Sequence, residues 1–159
     1  MRFRNLKKNI DTKDKKLKDE QVKVYYARFT DRIKAFITDM FMIYIPILYI
    51  ITYVVLDGKD DFQSSQWAPL MGVTLYGFIY AILVSKLSQT PGKKAYVIKI
   101  VDDSSYENIS FFRALWRFIA FLITATTLIG LFIPFYRKDK KALHDILAST
   151  VVIIDKQVE

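Results

Sequence analysis

Six side chains of this 159-residue chain could do chemistry inside an otherwise apolar protein: Arg32, Asp39, Arg113, Arg117, His144 and Asp145. Asp39 raises the sharpest question, because it lies within "RIKAFITDMFMIYIPILYIITYVVLDG", residues 32–58, a run long enough to cross a lipid bilayer. An unpaired aspartate at the centre of such a span costs roughly 2.5–3.5 kcal/mol even on the most lenient scale, so the carboxylate must be paired or neutral. A neutral one, its pKa raised by burial, could bind a cation or carry a proton; a paired one pins helices together. Arg32 lies seven residues earlier, on nearly the same helical face but roughly 10 Å away along the axis, too far to bond Asp39 directly. A partner from a remote segment is therefore expected. Arg113 and Arg117, an i, i+4 pair, could bring it, and so could His144 with Asp145. His144 titrates near neutral pH and could relay a proton with Asp145, although sequence neighbours diverge on a helix. Asp39 is also shallow, about 6 Å inside if hydrocarbon begins near Ala35, which favours a structural pin as much as an ion path.

Other chemistries lack their parts. His144 is the only histidine and cysteine is absent, so neither a histidine cluster nor a thiolate site can hold a metal. "TPGKK", residues 90–94, is not a phosphate-binding loop, which needs G-x-x-x-x-G-K-[ST] opening a helix; it reads as a turn leading into a strand. No enzyme and no cofactor are expected.

The elements that must position these groups follow from hydropathy and charge. The chain is 52% hydrophobic yet carries a net charge of +8, so apolar and basic residues are segregated along it. That segregation argues for a membrane protein rather than a basic nucleic-acid binder. Two spans are expected, at about 33–56 and 67–87, each near the ~20 residues a bilayer requires. A third apolar segment, about 111–136, contains Gly130 and Pro134, and a proline removes a helical hydrogen bond. Twelve basic residues precede position 35 and six fall within 86–117, whereas the loop 57–66 carries only Lys59. By the positive-inside rule the amino terminus and the 86–117 segment are cytoplasmic and the 57–66 loop is outside. The basic stretch 137–141 would be misplaced if the third segment crossed fully.

The β-branched runs "AYVIKIV", 95–101, and "STVVII", 149–154, point the same way, because each needs a strand partner and the simplest is the other. The expected fold is thus mainly α: a polytopic membrane protein with two full transmembrane helices, a third interrupted or re-entrant helical hairpin, and a small cytoplasmic β-pair. Residues 1–24 have no apolar core of a signal peptide and read as a basic, mobile cytoplasmic tail able to attract anionic lipids; residues 25–155 form the membrane domain.

Four stretches carry a resemblance: "ARFTDRIKAFITD" (27–39), "SQTPGKKAYVIKIVD" (88–102), "ISFFRALWRF" (109–118) and "KKALHDILASTVVI" (140–153). In that order and spacing they resemble the RDD family of bacterial membrane proteins, named for one arginine and two aspartates. The resemblance implies that Arg32 matches the arginine, Asp39 the first aspartate and Asp145, in "LHD", the second. Ser149 stands where the family commonly has glycine, and Arg28 and Asp31 where it is more often neutral or basic. The resemblance also implies an inner-membrane location and transport of an undefined ligand, with cation/proton exchange as one form, which two spans and a hairpin could support only as a homo-oligomer. The alternative is a non-transporting accessory or assembly subunit of a larger membrane complex, in which the Arg/Asp set serves as a structural fastener.

Overall fold

The computed structural model describes residues 25–127 and 141–155. The basic tail and the Gly130–Pro134 interruption of the third apolar segment, with the hairpin expected there, lie outside the described residues.

Helix α1, Phe29–Val55, covers the first apolar run. It is not a uniform α-helix. Pro46 has no N–H and its ring crowds the preceding turn, and just before it Met40–Tyr44 widens into a π-helical stretch in which the Ile45 amide reaches back to the Met40 carbonyl. A second such stretch, Ile51–Val55, ends the helix. The loop expected between the spans holds a short helix α2, Lys59–Ser64, and helix α3, Ala68–Leu87, covers the second apolar run. Only 22% of the apolar stretch of α1 and 39% of that of α3 are buried within the protein. A core helix of a soluble protein would be mostly covered, whereas here Phe41, Tyr49, Val54 and Leu70 are open to the surroundings. Both helices are long and apolar enough to cross a membrane.

Two glycines set the closeness of this pairing. A Cβ on Gly72 would stand 2.9 Å from the Leu48 side chain, and one on Gly77 would meet the Phe118 ring at 2.5 Å. Phe118 belongs to α5, Phe111–Thr127, so α3 is gripped between α1 and α5 through a cluster of rings that includes Tyr44, Tyr76, Tyr80 and Phe118.

Between α3 and α5 the chain leaves the bundle. It forms the short helix α4, Pro91–Ala95, and then strand β1, Ile98–Asp102. After the undescribed segment come helix α6, Leu143–Leu147, and strand β2, Thr150–Ile154. The strands pair antiparallel, Ile98 opposite Ile154 and Asp102 opposite Thr150. The β-pair is therefore as expected, but β1 starts three residues later than its β-branched run, because Pro91, at the start of α4, begins a helical turn that carries through Ala95. Tyr26 bridges Ile153 on the other edge of β2, and the Ala27 amide donates to the Val152 carbonyl at 3.0 Å. The sheet thus sits beside the start of α1, the end of α3 and the start of α5. All the polar side chains singled out above gather at that end.

Candidate functional site

Asp39 is fully buried, at the last α-helical position before the first π-stretch of α1. None of the expected arginines reaches it, nor does His144; the partner is the "TPGK" segment, which is more than a turn. Thr90 is the N-cap of α4, and its hydroxyl donates to Asp39 Oδ2 at 2.5 Å. The Gly92 amide, an unsatisfied donor in the first turn of α4, donates to Asp39 Oδ1 at 2.7 Å. Lys93 Nζ lies 3.7 Å from Oδ2 and 5.2 Å above the Tyr80 ring. The carboxylate therefore caps a helix from outside, a favourable place for negative charge. Glycine at 92 is what allows the approach: a Cβ there would come within 2.1 Å of the Ala35 carbonyl oxygen and 2.9 Å of the Asp39 carboxyl. Burial pushes the Lys93 ammonium down to about 8, with the Asp39 charge opposing that shift.

Asp145 forms the second node and is likewise fully buried. Arg32 Nη1 donates to its Oδ2 at 2.9 Å, and Arg117 Nη2 donates to its Oδ1. The same Oδ2 accepts the Ala142 amide at 3.1 Å, so Asp145 reaches back over the first turn of its own helix; alanine at the N-cap offers no side chain in return. Burial alone would push the Asp145 carboxyl up, but Arg117, His144 where acid protonates it, and Arg32 outweigh burial and hold it below the usual carboxylate range. Arg32 Nη2 adds a long bond, 3.4 Å, to the Val152 carbonyl of β2. A single guanidinium pair thereby ties α1 and α5 to the segment carrying α6 and β2.

His144 Nε2 is 3.6 Å from Asp145 Oδ1, and the imidazole stands edge-on to Phe121. Burial, with Arg117, Arg32 and Lys93 nearby, lowers its pKa to about 4 despite the opposing carboxylate, so it is neutral at pH 7. Arg113 goes elsewhere. It pairs with Asp102 at the end of β1, and its Nη2 donates to the carbonyls of Ala148 at 3.2 Å and Ser149 at 2.7 Å. Ser149 has φ 50, the left-handed region that glycine occupies without strain, which is a physical reason for glycine at this place. Arg28 and Asp31, the two unusual charges near Arg32, neutralise each other at 3.1 Å on the surface.

Of the six candidates, then, Arg32, Arg117, His144 and Asp145 come together, Asp39 sits with Thr90, Gly92 and Lys93, and Arg113 clamps the sheet. Among the described residues no three His, Asp or Glu side chains are grouped as a metal would need. The order of these nodes along the chain, Arg32 and Asp39 first, Thr90 to Lys93 next, Asp145 last, is spanned by one family model, that of the RDD family, which matches residues 26–149. The chain belongs to the RDD family. No curated protein and no solved structure matches it. Family membership and the two exposed apolar helices together make this RDD protein a membrane protein.

Proposed function

We propose that this RDD protein is a non-enzymatic, non-transporting accessory module of the bacterial inner membrane, in which Arg32, Asp39 and Asp145 fasten the transmembrane helices to a small cytoplasmic cap. One observation carries the proposal: both oxygens of both carboxylates are already engaged. Each oxygen of Asp39 and of Asp145 already accepts a bond from a donor fixed in another segment or in the backbone. A carboxylate that exchanges a cation for a proton must give up such bonds in every cycle, and leaving a buried charge unpaired costs about 3–5 kcal/mol. Cation/proton exchange through an oligomer would therefore have to dismantle the contacts that hold the cap in place. The positive-inside distribution of charge supports a cytoplasmic cap, with the short helix Lys59–Ser64 on the opposite side. The exposed apolar faces of α1 and α3 are the surfaces that a partner complex within the bilayer would meet.

Reconstitution tests this directly. Purified protein in proteoliposomes carrying an imposed pH gradient should collapse that gradient on addition of Na+, K+ or Li+ no faster than empty vesicles. Asp39→Asn should lower the melting temperature and leave that flux at background. Cation-dependent proton flux in the wild type that Asp39→Asn abolishes, in protein still folded by size-exclusion chromatography, would overturn the proposal in favour of exchange.

A further inference from the structure

The two nodes face a cavity of about 350 Å³, inside the roughly 300–1,000 Å³ range of ligand sites. Its polar wall is Arg32, Lys93, Arg117 and His144. Several of their donors are unused. Arg117 is 97% buried (3% exposed), yet its Nε and Nη1 have no hydrogen-bond partner among the described residues, and the same holds for Arg32 Nε and His144 Nδ1. Buried donors on a charged group are expensive to leave unmet; these nitrogens are covered by protein atoms, but the three side chains that carry them all line this one cavity, so a small shift of those side chains would bring the donors to an acceptor held there. The formal charges agree. Arg32, Lys93 and Arg117 stand against Asp39 and Asp145, which leaves one positive charge over when His144 is neutral.

The rest of the wall is hydrocarbon. Phe36, Phe118, Phe121 and Ala125 line it, with the Phe36 and Phe121 rings 5.4 Å apart. Ile33 and Phe36 belong both to the cavity and to the outer surface of α1, where they are 41% and 36% exposed. The cavity thus joins cationic side chains to the apolar surface that a membrane-spanning helix offers to acyl chains.

We propose that this cavity binds a monoanionic phosphodiester, the head of an anionic phospholipid, with its oxygens on the free donors of Arg117 and Arg32 and its acyl chains leaving past Ile33 and Phe36. A soluble phosphate shares the headgroup chemistry but has nothing to place against Phe36 and Phe121. The proposal goes beyond the fastener role of the aspartates and does not depend on the absence of ion flux.

Full-length protein in a non-ionic detergent should be titrated with short-chain phosphatidylglycerol, with phosphatidylcholine of the same chain length, and with inorganic phosphate, following the melting temperature and counting bound lipid by native mass spectrometry. One phosphatidylglycerol should bind per chain, at least about tenfold tighter than phosphatidylcholine, with no binding of phosphate at the same concentrations. Arg117→Lys keeps a cation for Asp145 but deletes the free guanidinium donors, and should weaken phosphatidylglycerol about tenfold. Ala125→Trp fills the cavity without touching an ion pair and should abolish binding. Equal binding of the two lipids, which marks annular lipid only, would overturn the proposal. So would phosphate binding as tightly as phosphatidylglycerol, or an unchanged affinity in Ala125→Trp. The lipid comparison needs only the wild type, so the proposal stays testable if a variant does not fold.

Discussion

Replacing Gly92 with alanine is the most direct challenge to the Asp39 node. The added methyl carbon would lie 2.1 Å from the Ala35 carbonyl oxygen, an atom of the α1 backbone that cannot rotate aside. Helix α4 must therefore retreat from α1. Forced repacking of this kind costs about 1–3 kcal/mol. The retreat also lengthens the Gly92 amide bond to Asp39, 2.7 Å in the wild type, and a hydrogen bond to a charged group is worth about 1.5–3 kcal/mol. Together these amount to about 2.5–6 kcal/mol, or a drop of roughly 5–24 °C in melting temperature for a chain of this size. The drop can be read by heating detergent-solubilised protein and measuring the folded fraction by fluorescence-detected size-exclusion chromatography. Asp39→Asn supplies the second corner of a double-mutant cycle. Once the carboxylate is gone, α4 has less to lose by retreating, so the double variant should be at least about 1 kcal/mol more stable than the sum of the single effects implies. A melting temperature within 2 °C of wild type for Gly92→Ala, or strict additivity with Asp39→Asn, would refute the claim that carboxylate and helix start act as one unit.

Other predictions concern the cap. Ser149→Gly should stabilise the protein by up to about 1 kcal/mol, since it relieves a left-handed residue while keeping the Ser149 carbonyl that Arg113 grips; a loss of thermal stability would contradict this. His144 should make the fold acid-sensitive. Its pKa is about 4 when folded against an ordinary 6.5, so between these values the unfolded chain binds the proton and the folded one does not. Stability that is full above pH 6.5 is therefore lost as pH falls toward 4, by an amount on the order of 1–3 kcal/mol. The Asp145 carboxyl, with its folded pKa below the ordinary value, adds its own loss at still lower pH. Melting curves of His144→Gln should be flatter than wild type between pH 6.5 and 4; parallel curves would remove His144 as the cause.

The spans could be read from the sequence because a bilayer imposes a length and an apolar content that few other environments demand, and α1 and α3 fall close to the expected limits. The β-pair was legible for a related reason: two short β-branched runs with no other candidate partner had to find each other. The receptor of Asp39 was not legible. "TPGK" was read as a turn because Pro91 and Gly92 are turn residues, yet here Pro91 opens a helix and Gly92 serves for the nearness of its backbone to Ala35. A usable signal was present all the same: a threonine N-cap followed by proline and glycine is a helix start rich in free amides, and the chain held a buried carboxylate in need of donors. The arginines misled because all cations look alike in a sequence. Arg113 and Arg117 share a helical face, but that face looks toward α6 and the sheet, where Asp145 takes Arg117 and Asp102 with two carbonyls takes Arg113.

Arg32 and Asp145 are separated by 113 residues. A ribosome making this protein must therefore place the leading helix in the lipid, and then its companion, long before the counter-ion of that arginine exists. Until α6 emerges, the newborn chain carries an uncompensated guanidinium at the water boundary. Quality control that senses such a charge would tell a finished molecule from a prematurely terminated one.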